Sequence, residues 1–200
     1  MSDSQPCALR AHRDGRLRYG ATPPRALPPG QRRRSGASVI LVVNGPNLSQ
    51  LGARDPAVYG GATLAQVMAG ARQEHPDVEE FTSEAEGELI TRLHAAVHDG
   101  TQAVVINPGA LAHYSYALRD ALEILHCPKV EVHLSQTPAR EAFRRTSVVS
   151  PVVDATITGV GAYGYRLAVR AALHLLADRS ATRARPAPET PTSRAADPEV

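Results

Sequence analysis

Five residues in a row, Val39-Ile40-Leu41-Val42-Val43, are apolar without interruption. A run of this kind reads as a strand covered on both faces, because a strand with one wet face alternates apolar and polar residues. A second buried run is Ala103-Val104-Val105-Ile106, and shorter strand-like stretches occur at Val78 to Phe81, Lys129 to Leu134 and Ala155 to Thr158. Segments with helical spacing separate them. Thr63 to His75 opens on a capping residue and stops before Pro76. Glu86 to His98 places Leu89, Ile90, Leu93 and Val97 on one face and closes at Gly100. Ser115 to His126 turns Leu118, Leu122 and Leu125 inward, and Tyr163 to Ala177 follows the last strand.

Strands alternating with helices predict an α/β fold: a doubly wound, five-stranded parallel sheet with helices on both faces, flavodoxin-like in architecture. Such folds bind ligands beyond the carboxyl ends of their strands. That rule selects three stretches, Asn44 to Tyr59, Asn107 to His113, and His133 to Arg144.

The charge is unevenly spread. Residues 1–37 hold eight arginines against two aspartates, and residues 38–176 hold ten basic and fourteen acidic residues. The basic balance therefore belongs to the N-terminal segment, and the middle gives no reason to expect nucleic acid. Tryptophan is absent and aromatics are 4% of the chain, too few for a base-stacking platform. Residues 1–37 read as a disordered Arg/Pro-rich tail, with a targeting peptide or an electrostatic tether as alternatives. Residues 179–200 read as a second disordered tail, rich in Pro and Ala, which leaves 38–178 as the folded domain. No apolar run approaches the ~20 residues of a membrane span. The start lacks the apolar centre of a secretory signal. Cys7 and Cys127 form no disulfide framework or metal cluster, so a reducing, cytoplasmic setting is the simplest expectation.

The segment from Asn44 to Gly61 is too long, and too rich in Gly and Pro, for an ordinary strand-to-helix turn. Long loops at strand ends are usually functional or disordered. This one carries Arg54 and Tyr59. A phenol titrates near 10, and lowering it by roughly three units needs about 4 kcal/mol of preferential phenolate stabilisation. One guanidinium about 4 Å away, at an effective dielectric near 20, supplies an interaction of that size. Tyr59 could therefore act as a base only beside Arg54 or Arg140; a tyrosine packed on a surface loop is the plainer alternative on spacing alone.

In Glu131-Val132-His133-Leu134-Ser135, alternate residues share a face, so Glu131, His133 and Ser135 point the same way. A carboxylate beside an imidazole orients it and favours its protonated form, which suits a general acid; a polar cluster at a sheet end is the alternative. Asn107 and His113 flank a strand-to-helix turn and could bond a polyhydroxy ligand, or Asn107 could simply cap the turn. Arg140 and Arg144, four apart, are expected on one helical face, to bind an anion or to meet solvent. Gly159-Val160-Gly161-Ala162-Tyr163-Gly164 matches the dinucleotide pattern but lacks a following strand with an acidic end. Those glycines are expected instead to let the last helix pack closely on the sheet. The only lysine, Lys129, starts a strand at the end of the sheet away from these groups, and no metal-ligand spacing occurs.

Several blocks in order then resemble the type II 3-dehydroquinate dehydratases: Asn44 to Leu48 with Tyr59-Gly60, Glu86 to Ile90, Ile106 to Ala110, Ala117 to Ala121, Glu131 to Ser135, Ala139 to Glu141, Ser150-Pro151 and Gly161 to Leu167. The resemblance spans about Val39 to Leu176. It implies anti dehydration of 3-dehydroquinate to 3-dehydroshikimate through an enol or enolate, with no cofactor and no metal. It assigns proton abstraction to Tyr59, assisted by Arg54 and Arg140. It gives Asn47 a water at the developing enolate oxygen, and His133, oriented by Glu131, the leaving hydroxyl. It places Asn107, Ser135 and the Leu134 backbone at the substrate carboxylate, and His113 and Arg144 at its ring hydroxyls. Asp120 resembles a residue supplied by a neighbouring subunit, and the family forms trimers that assemble into dodecamers. Departures from the pattern are Glu84, Ala112, Tyr114, Gln136 and Pro138. The competing expectations are a weakly active paralogue binding a quinate-like ligand, a quinate-degrading enzyme, or a dinucleotide-dependent reductase.

Overall fold

The computed structural model describes residues 39–184. The expectations for 1–37 and for the chain beyond 184 lie outside the described residues. Five strands form one sheet: β1 Val39–Asn44, β2 Val78–Thr82, β3 Thr101–Asn107, β4 Lys129–His133 and β5 Ala155–Thr158. All neighbours are parallel and the order is β2-β1-β3-β4-β5, the doubly wound arrangement expected. The helices are α1 Pro56–Tyr59, α2 Leu64–Glu74, α3 Glu86–Ala96, α4 Tyr116–Glu123 and α5 Tyr163–Ala184.

The continuous apolar run of β1 has the cause inferred from sequence. All six of its residues are buried, because both sheet faces are covered. Ile40 and Val42 face one core with Val67 and Met68 of α2 and Val169 of α5. Leu41 and Val43 face the other with Leu89 and Leu93 of α3 and Leu118 and Leu122 of α4. Thr63 caps α2 reciprocally. Its hydroxyl accepts from the Gln66 N–H, and the Gln66 side chain accepts from the Thr63 N–H at 2.9 Å.

Two local differences from the sequence reading have clear causes. Helix α5 continues past the expected end at Ala177 to Ala184, so residues 179–184 are helical and not the start of a tail. Arg179 anchors this extension: one guanidinium nitrogen donates to the His126 carbonyl at 2.7 Å and another pairs with Asp154 at 2.6 Å. The long loop after β1 contains helix α1, capped by Asp55, whose carboxylate accepts from the Ala57 N–H at 2.9 Å, with Pro56 in the first turn. The Gly159–Gly164 pattern does what its position suggested. A β-carbon on Gly164 would lie 3.2 Å from Val132 Cγ2, so glycine lets α5 seat directly on β4. No helix among the described residues is long and apolar enough to cross a membrane.

The loops after β1 and β3 touch backbone to backbone at the carboxyl edge. The Gly45 N–H donates to the Asn107 carbonyl at 2.8 Å. A β-carbon at Gly45 would sit 2.7 Å from the Pro108 carbonyl oxygen, well inside van der Waals contact with unyielding backbone. Gly45→Ala is expected to cost about 1–3 kcal/mol, the usual range for overpacking, in a denaturant melt. Gly87→Ala, in α3 where a β-carbon meets nothing, is expected to be neutral or stabilising by about 0.5–1 kcal/mol.

Candidate active site

One pocket opens at the carboxyl edge of β1, β3 and β4. Asn47, Arg54, Tyr59, Asn107, His113, His133, Leu134, Ser135, Arg140 and Arg144 all line it. Of the residues expected from sequence, Glu131 lies behind His133 and Asp120 is exposed on α4, outside the pocket wall. Three strand ends thus collect side chains that are far apart in the chain.

The loop after β1 is built in two halves. Its first half is pinned inward by Leu48 and Leu51, both buried. Asn47 sits there at φ 68, a left-handed conformation that asparagine tolerates better than most residues. Glu84, just after β2, clasps this turn from outside. Its two carboxylate oxygens accept from the Ser49 hydroxyl and the Asn47 N–H, each at 2.6 Å. These bonds, the Ser49 one foremost, hold the Glu84 carboxyl below its usual range. The second half is mostly exposed and lies between Gly52 and Gly60, at φ 94 and 77, two points where the chain turns through conformations that favour glycine.

Arg54 and Tyr59 stand on that outer half. The chain doubles back through α1, so an Arg54 guanidinium nitrogen donates to the Tyr59 hydroxyl oxygen at 2.5 Å. The Arg54 guanidinium carbon is 3.7 Å from the Tyr59 ring centroid, and that of Arg140 is 5.2 Å from it. Both cations that the sequence nominated therefore flank the same phenol.

On β4, His133 Nε2 meets Glu131 Oε1 at 2.8 Å. Glu131 is fully buried in the middle of the sheet edge region, and its carboxylate also accepts from Ser147 at 3.3 Å, from Ser150, and from Thr156 at 3.4 Å. Burial by itself raises a carboxyl pKa; the bonds from His133, Ser150 and Ser147 outweigh it and hold Glu131 below its usual range. Glu131 is thus an anion that backs the imidazole.

His113 closes the 3-10 turn Gly109–His113. Its Nδ1–H donates to the Thr146 carbonyl at 2.8 Å, which makes Nε2 the acceptor nitrogen of the neutral ring. Nε2 is buried and has no partner among the described residues. The His113 ring stacks 6.5 Å from that of His133, centroid to centroid.

Arg140 and Arg144 do not share a helical face as their spacing suggested. Arg144 belongs to the 3-10 turn Ala142–Arg145, whereas Arg140 follows the end of another, Thr137–Ala139, and the extended backbone of Glu141 separates it from the second turn. They still converge on the pocket, because the chain folds around Glu141, which pairs with Arg140 at 3.5 Å and with Arg144 at 2.7 Å. An Arg140 guanidinium nitrogen also donates to Ser135 at 3.2 Å.

Ser147 and Thr156 carried no signal in the sequence, because each acts on a residue distant in the chain; Ser150 entered only within a resemblance block and Glu84 only as a departure, neither with its contact. The departures Glu84, Ala112, Tyr114, Gln136 and Pro138 are all absent from the pocket wall. Tyr114, 62% exposed, turns to solvent.

A phenol between two guanidiniums, a carboxylate-backed imidazole and a third arginine suit acid–base chemistry on a small anion. The arrangement defines an acid–base enzyme of the parallel α/β class. The model of the family described as Dehydroquinase class II matches residues 38–173. The 3-dehydroquinate dehydratase of Thermotoga neapolitana is 54% identical over 134 residues, covering 65% of this chain and 90% of that protein. The crystal structure of type II dehydroquinase from Butyrivibrio crossotus superposes with a TM-score of 0.67 at 40% identity, covering 68% of this chain and 98% of that one. The type II dehydroquinase from Propionibacterium acnes gives 0.64 at 44% identity, covering 68% and 97%. The chain belongs to the class II dehydroquinase family.

The Glu131 environment makes stability depend on pH with a definite sign. Its folded pKa lies below the ordinary value of 4.5. The stabilisation is therefore complete above that value and is lost as pH falls through the folded pKa. Glu131→Gln is expected to flatten the acid limb of a plot of Tm against pH. At neutral pH it is expected to cost about 1–3 kcal/mol, because an amide N–H₂ replaces an acceptor among hydroxyl donors.

Proposed function

We infer that Tyr59 and His133 are the base and the acid with which this chain dehydrates 3-dehydroquinate to 3-dehydroshikimate. The observation that carries the assignment is the Arg54 guanidinium donating to the Tyr59 oxygen at 2.5 Å, with Arg140 on the same ring. A positive charge there faces the oxygen that must be negative when a tyrosine accepts a proton. Tyr59 takes the proton alpha to the ketone, and the electron pair moves into an enolate. The enolate then expels the β-hydroxyl as His133 protonates it, so one water leaves and a conjugated enone remains. Asn47 holds a water against the enolate oxygen, where preorganised donors act most strongly. Glu131 keeps His133 oriented and stabilises its protonated form.

The remaining wall suits the substrate. Asn107, Ser135 and the backbone at Leu134 meet the carboxylate, with Arg140 adding charge nearby. His113 presents its unpaired acceptor nitrogen to a ring hydroxyl, and Arg144 bonds another. Closure of the outer loop over Arg54 and Tyr59 excludes water during the reaction. The enzyme is a hydro-lyase, and the reaction is the dehydration step of the shikimate pathway. Asp120 completes the site of a neighbouring protomer, in trimers that assemble into a dodecamer in the cytoplasm. Its exposure on α4, beside the exposed Tyr116, supports that reading.

Ultraviolet absorbance of the enone formed from 3-dehydroquinate tests the activity directly. Well-folded protein that gives no signal would overturn the assignment. Tyr59→Phe is expected to lower kcat by about 10²–10⁴-fold, the usual weight of a general base, without lowering Tm. Full activity in that variant would remove Tyr59 as the base. Light scattering after size-exclusion chromatography tests the assembly, and Asp120→Ala is expected to lower activity although Asp120 is outside its own chain's pocket.

A further inference from the structure

A row of polar side chains, buried at Asn44 and Asn107 and partly buried at Thr82, runs across the sheet directly beneath the pocket. Thr82, Asn44 and Asn107 occupy the same level of three adjacent strands, since Asn44 is paired with Thr82 on β2 and with Asn107 on β3. Tyr165, from the first turn of α5, reaches over them and is completely buried. Its hydroxyl donates to Asn44 Oδ1 at 2.7 Å and accepts from Asn107 Nδ2 at 2.9 Å. Asn44 Nδ2 in turn donates to the Thr82 hydroxyl at 3.2 Å.

The direction of every bond in this row follows from one backbone group. The Gly109 N–H, 3.2 Å from the Asn107 side chain, can only donate, so the atom facing it is Oδ1. Nδ2 of Asn107 must then face Tyr165, which accepts there. A hydroxyl has one proton, so Tyr165 spends it on Asn44 Oδ1, and Asn44 Nδ2 is left for Thr82. Burial pushes the Tyr165 phenol far above its ordinary range, so that proton stays in place at any working pH. Asn107 Nδ2 has two hydrogens and Tyr165 uses one. Asn107 also lines the pocket. The amide is therefore held with an N–H donor, and not its carbonyl oxygen, available to a ligand.

We propose that Tyr165 is a positioning residue for substrate binding: its hydroxyl locks the Asn107 amide in the orientation that presents an N–H to the substrate carboxylate. The inference rests on the assignment of Asn107 to that carboxylate. Without the hydroxyl, Asn107 keeps only the longer bond from the Gly109 N–H, at 3.2 Å, and its amide turns more readily. The oxygen can then face the carboxylate, which repels it. The effect falls on binding, because the reacting atoms are held by Tyr59 and His133.

Tyr165→Phe retains the packing of the ring and removes only the hydroxyl. It is expected to raise KM for 3-dehydroquinate by about five- to tenfold with kcat within about twofold, the pattern of lost uniform binding. Thr82→Val breaks the row at its far end and is expected to lower Tm while leaving KM unchanged. In an Asn107→Ala background, or Asn107→Ser should the alanine variant fold poorly, Tyr165→Phe is expected to leave KM where that background sets it, because the two changes act through one contact. The proposal is overturned if Tyr165→Phe leaves KM unchanged, if Thr82→Val raises KM equally, or if Tyr165→Phe raises KM further in the Asn107 background. An Asn107→Ala variant with ordinary KM would refute the assignment of Asn107 itself, a result distinct from the others.

Discussion

A buried carboxylate in the middle of a parallel sheet is the interaction on which the site and much of the fold around it depend. Glu131 has no exposed surface, and an unpaired charge in that position would cost several kcal/mol. The cost is offset only by complete hydrogen bonding, and four donors come from three places: His133 two residues on, Ser147 and Ser150 of one turn, and Thr156 on β5. The Ser147 hydroxyl also accepts from the N–H groups of Val149 and Ser150, so the turn that serves the carboxylate is shaped by the same side chain. Satisfying Glu131 therefore ties β5 and the 146–152 segment to β4. The imidazole orientation that the proposed acid role needs is a by-product of satisfying that buried charge.

The proposed base is held on a different principle. Tyr59 and Arg54 stand on a mostly exposed segment between two left-handed glycines, where they bond each other and Tyr59 packs against the edge of the core. The anchoring lies upstream, where Leu48 and Leu51 bury into the core and Glu84 clasps the turn at Asn47. Under the proposed roles, an acid built into the sheet and a base carried on a loop is a sensible division. One partner must stay rigid to define the geometry, and the other must move to admit substrate and then exclude water.

The fold was legible because its signals are local. The uninterrupted run at Val39 to Val43, the helical spacing of Leu89, Ile90 and Leu93, and the cap at Thr63 each report their own surroundings, and together they leave few topologies. Paired side chains within one strand, Glu131 and His133, were legible for the same reason. Spacing failed where tertiary contacts decided the backbone. Arg140 and Arg144 fit one helical face by arithmetic, yet the chain breaks at Arg140 and wraps round Glu141. Helix α5 outran its compositional limit because Arg179 found a carbonyl and a carboxylate on other elements. The contacts of the supports Glu84, Ser147 and Thr156 were not legible because their partners are 16 to 37 residues away.

Two tyrosines in this chain show how environment assigns a role to one side-chain chemistry. Tyr59 meets two guanidiniums at the pocket wall, so its oxygen faces positive charge. Tyr165 meets two amides in the core, so its oxygen serves as a fixed joint with one donor and one acceptor direction. A phenol that readily lost its proton could not fill the second position, because the Asn44 carbonyl would lose its donor. A phenol as buried as Tyr165 could not fill the first, because removing its proton would place an uncompensated charge in the core. The parallel sheet makes both roles available within one site: its carboxyl edge is open to solvent at the loops and closed over by α5 a few ångströms beneath.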